Sequence, residues 1–309
     1  MIISASRRTD IPAFYGKWLV NRLKAEFVMI PNPYVANKIS RIELSPKIID
    51  CIVFWTKNPA PIFDELAIIK DMGYQFYFQF TLNAYGQDLE KNVPPLQERT
   101  EAFRRLSEKE GKERVVWRYD PVIISDAYTA QWHTEHFELL CESLYGYTSR
   151  VVFSFVDLYK GMEKGIKPAK AEERRDIALA FAEIAKRFEL EVFTCAEKED
   201  FSMYGIKHSA CIDKSLIQKL IGYEIDAKKD ANQRTACGCI ESIDIGMYNT
   251  CTNGCTYCYA TQGYTSAKGL LQKHDTKAPM LAGYPPVKAK VENRKSASSR
   301  RLQTTFFDE

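Results

Sequence analysis

Cys51-Ile-Val-Phe-Trp-Thr-Lys-Asn58 and Gln75-Phe-Tyr-Phe-Gln-Phe-Thr-Leu-Asn83 run almost continuously apolar or aromatic and then turn polar abruptly. A strand with one wet face alternates apolar and polar residues, so unbroken runs suit strands covered on both faces, as in a parallel sheet layered with helices. Working outward, Met1–Ser4, Phe27–Ile30, Cys51–Trp55, Gln75–Thr81, Arg114–Arg118, Val151–Phe155, Leu190–Thr194 and Ser242–Gly246 read as strands. The segments Pro12–Lys24, Ile62–Met72, Leu96–Glu108, Ala130–Leu144, Ala169–Phe188 and Lys214–Leu220 read as helices. The clearest is 169–188, with Ile177, Phe181, Ile184, Ala185 and Phe188 on one stripe and charged residues on the other. Repeated β-α units predict an α/β fold, and eight strands is the number of a TIM-type barrel. The expectation is a partial or full β/α barrel, with a doubly wound sheet as the alternative.

The polar residues cluster where the apolar runs end. They include Arg7, Arg8 and Asp10 after the first strand, Lys57 after the third, Arg118 and Asp120 at the fifth, Asp157 after the sixth and Glu197 after the seventh. In parallel barrels the carboxyl ends of the strands carry the active site, so these eight side chains are expected at one mouth, as substrate anchors or proton-transfer groups. Turn and cap chemistry would explain an isolated Asp or Asn. It does not explain the arginines and lysine.

The 309 residues are 45% hydrophobic and 27% charged, an ordinary globular composition. A balance of 43 Lys+Arg against 40 Asp+Glu, +3 overall, gives no global field for a polyanion or a membrane. No signal peptide is read, and no apolar run reaches the ~20 residues of a membrane span. A cytoplasmic, reducing location is therefore expected, in which clustered cysteines bind metal or do redox chemistry rather than pair as disulfides. Between Lys268 and Arg301 nine Lys/Arg face only Asp275 and Glu292, among prolines and a Ser-rich stretch. The reading is a barrel over residues 1–265, with a cysteine block at 237–260, and a basic, weakly structured tail over 266–309 that is simply solvated, wraps the barrel or touches a polyanion such as a nucleic acid. His133 and His136, three apart, read as a solvated helix face. No P-loop, G-x-G-x-x-G or G-x-S-x-G string is present.

The sharpest signal is Cys251-Thr-Asn-Gly-Cys255-Thr-Tyr-Cys258, a C-x3-C-x2-C run. Three thiolates in one tight loop suit a cubane iron–sulfur cluster with one iron left open. Gly254 suits a backbone that turns closely around such a group. Zinc, held by two of these cysteines with Cys237 and Cys239, is the competing reading. Cys195, Cys211, Cys237 and Cys239 could make a second four-thiolate centre, an auxiliary iron–sulfur cluster or a tetrahedral zinc site, or could be isolated thiols. Cys51 and Cys141 read as small core residues.

The C-x3-C-x-Tyr-C string followed by Tyr259-Ala260 resembles the cluster motif of the radical S-adenosylmethionine superfamily, in particular members similar to spore photoproduct lyase. Over nearly its full length the chain also resembles an uncharacterised bacterial family that joins an amino-terminal S-x-R-T-D-I-P-A segment, here Ser4 to Ala13, to such a cysteine block. The resemblance implies that Cys251, Cys255 and Cys258 hold a [4Fe-4S] cluster whose open iron binds S-adenosylmethionine, with Tyr257 against the adenine. It also implies an oxygen-sensitive enzyme that makes a 5′-deoxyadenosyl radical to abstract hydrogen from a substrate, with an electron donor such as flavodoxin or ferredoxin. The superfamily motif normally follows the first strand, whereas here it follows the last, so the barrel would be circularly permuted. A glycine-rich methionine-binding segment is not evident. Two other functional classes remain open: a non-catalytic iron–sulfur or zinc protein, and a nucleic-acid-binding or repair protein.

Overall fold

The computed structural model describes residues 1–35, 37–158, 162 and 166–301. Its strands are β1 (Ile2–Ala5), β2 (Phe27–Pro31), β3 (Lys38–Glu43), β4 (Cys51–Thr56), β5 (Phe76–Thr81), β6 (Val115–Val122), β7 (Arg150–Phe155), β8 (Glu191–Cys195), β9 (Lys207–Ser209), β10 (Ile243–Asp244) and β11 (Lys290–Asn293). Its helices are α1 (Ile11–Phe14), α2 (Gly16–Lys24), α3 (Phe63–Asp71), α4 (Leu96–Glu110), α5 (Ala130–Leu144), α6 (Ala171–Arg187), α7 (Lys214–Ile221) and α8 (Tyr264–Gln272). An eight-stranded parallel sheet runs in the order β10-β1-β4-β5-β6-β7-β8-β9, and β11-β3-β2 form a smaller second sheet. Among the described residues no ladder joins the β10 and β9 edges.

Both faces of the large sheet are covered, which is why its strands read as unbroken apolar runs. On one face Ile3, Ile52, Phe54, Phe78, Trp117 and Phe153 pack with side chains of α1 to α6. Each such ring or branched chain taken out of water contributes about 1.5–3 kcal/mol. On the other face Ile2, Cys51, Val53, Tyr77, Val116, Val152 and Phe193 pack against Leu216 and Ile217 of α7 and against Ile225 and Ile240. Successive side chains alternate between faces, so moving two residues at a time along this second face leads from that apolar patch to Ser4, Trp55, Gln79, Arg118, Ser154 and Cys195. The face thus turns polar towards the carboxyl ends of the strands.

Three corrections to the sequence reading follow. Residues 27–31 form a strand, but it pairs antiparallel with β3 in the small sheet, and β9 takes the eighth place in the large one. Strand β9 escapes detection because Lys207-His-Ser209 is short and polar, as befits an edge. The helix expected over 12–24 is broken at Tyr15 (φ −133°, ψ 22°), whose hydroxyl donates to the Thr250 carbonyl at 2.7 Å. His133 is not solvated: it is fully buried, with Nδ1 on the Tyr119 hydroxyl and Nε2 on the Ile123 carbonyl, each at 2.8 Å.

The segment after residue 265 also carries more order than its composition suggests. Trp18 Nε1, Asn21 Nδ2 and Arg22 Nη2 donate to the carbonyls of Ala278, Thr276 and Lys277, pinning that stretch along α2. Strand β11 adds in parallel to β3, and Ser298 and Ser299 bind the buried Asp50. Backbone groups, which composition does not report, supply much of this attachment; residues 302–309 lie outside the described residues. No helix among the described residues is long and apolar enough to cross a membrane.

Candidate functional site

The polar ends of the strands open into a cavity of about 1860 Å³. This exceeds the roughly 300–1,000 Å³ of a drug-sized ligand site, leaving room for more than one small molecule. Of the sequence-predicted residues, Arg7, Arg8, Asp10, Lys57, Arg118, Asp120 and Asp157 line it, with Cys251, Gly254, Cys255, Tyr257 and Cys258 on one side and Cys195, Cys211, Cys237 and Cys239 also in its wall. Glu197 does not. Its carboxylate accepts the Phe155 N–H at 2.8 Å and pairs with Arg174, so it braces the ends of β7 and β8. Asp157 is 73% exposed and ion-paired to Arg234 at the surface.

The cysteine loop is fastened from three directions. Asp10 caps α1 by accepting the Ala13 N–H at 3.0 Å, and its other oxygen accepts from Lys57 N at 2.8 Å and Asn253 Nδ2 at 3.1 Å. One buried carboxylate therefore ties the ends of β1 and β4 to the loop. From the β5–α4 connection, Asn92 N donates to the Asn253 carbonyl at 3.0 Å, and Thr256 N donates to the Leu89 carbonyl at 2.9 Å. Gly254 has φ +68°, which favours glycine, and a Cβ there would lie 2.6 Å from Asn92 Nδ2 and displace that amide. From β10, Asp244 accepts from Ser4 Oγ (2.9 Å), Ser6 Oγ (2.6 Å) and Arg7 N (2.8 Å), locking that strand to the end of β1.

Glu90, 2% exposed, is the electrostatic centre of this side. It pairs with Lys57 Nζ at 2.7 Å and Arg99 Nη1 at 3.2 Å, and accepts from the Tyr257 hydroxyl. Burial pushes its carboxyl upward, but the two cations and the Tyr257 hydrogen bond outweigh that and hold it below its usual value of 4.5. Burial raises Asp10 despite its hydrogen bonds. Burial also pushes the Cys251 thiol up to about 12 and the Cys255 thiol well above its usual range.

Residues 2–260 match the family described as "Domain of unknown function (DUF1848)". The chain belongs to that family. No curated protein matches the sequence. Among solved structures, "a putative alpha-L-fucosidase from Bacteroides thetaiotaomicron" shares 10% identity over 79% of this chain and 87% of its own, at a TM-score of 0.28, a likeness too low to carry an argument.

On the opposite side of the DUF1848 cavity, Arg118 lies between Asp120, with which it pairs, and Cys211, to whose sulfur its Nη1 donates at 2.5 Å. Trp55 lies under both Arg7 and Arg118, at 5.1 and 5.2 Å from its ring centre. Arg8 stacks over Tyr248 at 5.0 Å. Cys51 and Cys141 are fully buried, away from the cavity.

Sequence reasoning missed Glu90, Asn92, Asn253 and Asp244. Only Asp244 left a signal, as a lone acid inside the apolar Ile243-Asp-Ile245 run. Among the described residues no three His, Cys, Asp or Glu side chains already converge as a ready metal cage. The loop cysteines are nonetheless half-buried in the cavity wall, on a backbone held to the β5–α4 connection by main-chain hydrogen bonds. That suits ligands which must face an incoming group.

Proposed function

We propose that this DUF1848 protein is a radical S-adenosylmethionine enzyme built on a circularly permuted β/α TIM-type barrel. The observation that carries the reading is the loop Cys251–Cys258, a three-thiol donor set of superfamily spacing, fastened at the carboxyl ends of parallel strands on a large polar cavity. Its place after the last strand of the large sheet fits a permuted chain, because β10 pairs in parallel with β1. The loop therefore borders the end of β1, beside Arg7, Arg8 and Asp10.

Three thiolates from one loop suit a [4Fe-4S] cluster with one iron free for S-adenosylmethionine. Cys251, Cys255 and Cys258 would hold the cluster, and cluster and cofactor together would supply one-electron, hydrogen-abstracting radical chemistry fed by a donor such as flavodoxin or ferredoxin. The chain's own residues orient and shield. Asp10 and Glu90 set the loop's position, Tyr257 forms part of the wall behind the third cysteine, and Arg7, Arg8, Lys57, Arg118 and Asp120 offer charged anchors across the cavity.

The test is product formation. Anaerobic, reduced protein incubated with S-adenosylmethionine is expected to release 5′-deoxyadenosine, and Cys255→Ala is expected to abolish release while keeping its circular dichroism spectrum. Undiminished release by the Cys255→Ala variant contradicts the assignment.

A further inference from the structure

Four thiols outside the 251–258 loop gather in the wall of the same cavity. Cys195 ends β8, Cys211 follows β9, and Cys237 and Cys239 precede β10, so residues 44 positions apart in sequence come together through the fold. Cys195 Sγ and Cys211 Sγ are 2.8 Å apart. Cys239 Sγ accepts the Ile212 N–H at 3.3 Å, which places it next to the residue after Cys211, and Cys237 stands two residues before it. All four are buried. The close Cys195–Cys211 pair, with Cys239 and Cys237 in the same cavity wall, is a donor set that a central ion would draw together.

The charges around them ask for an anion. Arg118 Nη1 points at Cys211 Sγ. Arg7 lines the same cavity as Cys239 and Cys211, and its Nη2 is buried with no hydrogen-bond partner. Asp120 pairs with Arg118, whereas Arg7 has no side-chain ion pair among the described residues. Neutral thiols are weak acceptors and do not compensate a buried guanidinium. Four thiolates around a divalent metal, or around a [4Fe-4S]²⁺ core, carry a net charge of about −2, which Arg7 and the Arg118 shared with Asp120 offset in part. At a zinc–sulfur distance of ~2.3 Å, tetrahedral ligand sulfurs lie ~3.8 Å apart, so the closest pair has to open by only about 1 Å.

We propose that Cys195, Cys211, Cys237 and Cys239 bind a thiophilic metal as a four-thiolate centre, with Arg118 and Arg7 beside it as partial counter-charge. The four thiols release their protons to solvent as the metal binds. The two forms this donor set takes are a single tetrahedral ion and an iron–sulfur cluster. Either fixes the loops after β8 and β9 and before β10 as one rigid wall of the cavity. A disulfide between Cys195 and Cys211 is the competing use of the close pair, but it leaves Arg7 without an anion. The inference goes beyond the proposed radical chemistry and does not depend on it.

The decisive sample is the full chain carrying C251S, C255S and C258S together, purified anaerobically and assayed for zinc, iron and acid-labile sulfide. The expected result is about one zinc, or about four irons with matching sulfide, per folded chain. Adding C211S and C239S should lower the retained metal at least tenfold, and C51S with C141S should not change it. The proposal is overturned if the triple variant, folded by circular dichroism, holds less than a tenth of an equivalent of metal and shows no thiolate-to-metal charge-transfer band on cobalt(II) titration. A Cys195–Cys211 disulfide found by mass spectrometry in anaerobic protein overturns it equally. Should the five-fold variant fail to fold, the triple variant still decides, since it keeps all four thiols. Failure of the radical reading is distinct: the wild type would then release no 5′-deoxyadenosine while the triple variant still held metal.

Discussion

Glu90→Gln isolates the electrostatics that hold the cysteine loop. The substitution keeps the shape of the side chain and an acceptor for Tyr257, and removes the charge shared by Lys57 at 2.7 Å and Arg99 at 3.2 Å. Arg99 is 2% exposed, so its cation cannot turn to water for compensation. Breaking a buried ion pair from one side costs about 3–5 kcal/mol. With an unfolding entropy of about 2.1 cal/mol/K per residue over roughly 300 residues, that loss lowers the melting temperature by about 5–8 °C. The pH dependence follows from the depressed carboxyl. A carboxyl lowered in the fold stabilises fully above its unfolded value of 4.5, and the contribution disappears as pH falls through the folded value. The gap between wild type and Glu90→Gln should therefore be full at pH 7 and shrink below about pH 4.5. Differential scanning calorimetry at pH 7, 5 and 4 reads both effects. A variant melting within about 1 °C of wild type at pH 7, or a gap that widens in acid, refutes the reasoning.

Three further outcomes are expected. His133 is held at about 4 by burial, against 6.5 in the unfolded chain, so as pH falls from 6.5 towards 4 only the unfolded state takes up the proton, and stability declines by on the order of 3 kcal/mol at about 1.36 kcal/mol per pH unit; His133→Gln should remove that slope from melting curves recorded between pH 7 and 5, and parallel curves for the two proteins would contradict it. Gly254→Ala should cost about 1–2 kcal/mol for the left-handed backbone, before the approach to Asn92 is added, and a denaturant midpoint equal to wild type would mean the turn tolerates a side chain. Truncation after residue 275 removes the carbonyls that Trp18, Asn21 and Arg22 use, together with β11, and should lower the melting temperature and speed proteolysis near α2; unchanged protection would show that this segment contributes nothing to the fold.

The unbroken apolar strands were legible in the sequence because both faces of the large sheet are covered: β4, β5 and β7 fall within a residue or two of their expected bounds. Strand β9 and β11 were not legible, since each is a short polar edge strand whose reason for existing is the partner it pairs with. The eight-strand count came out right for a partly wrong reason, β9 standing where β2 was expected. The polar strand ends did mark one cavity, yet Glu197 turned out to brace two strands, while Glu90, from an unremarkable Asp88-Leu-Glu-Lys91 turn, became the central charge. Long-range ion pairs leave no local pattern, and a buried histidine such as His133 looks the same in sequence as an exposed one. The cysteine spacing was legible in full. The sequence also grouped Cys195, Cys211, Cys237 and Cys239; what it could not convey was that the buried Arg118 and the half-buried Arg7 stand beside them.

The central claim is most directly tested by incubating anaerobically purified, reduced wild-type protein with S-adenosylmethionine and quantifying 5′-deoxyadenosine, alongside iron content. The account predicts brown protein with about four irons per loop cluster and 5′-deoxyadenosine released by wild type but not by Cys255→Ala. Colourless protein that binds zinc alone and releases no 5′-deoxyadenosine would contradict it.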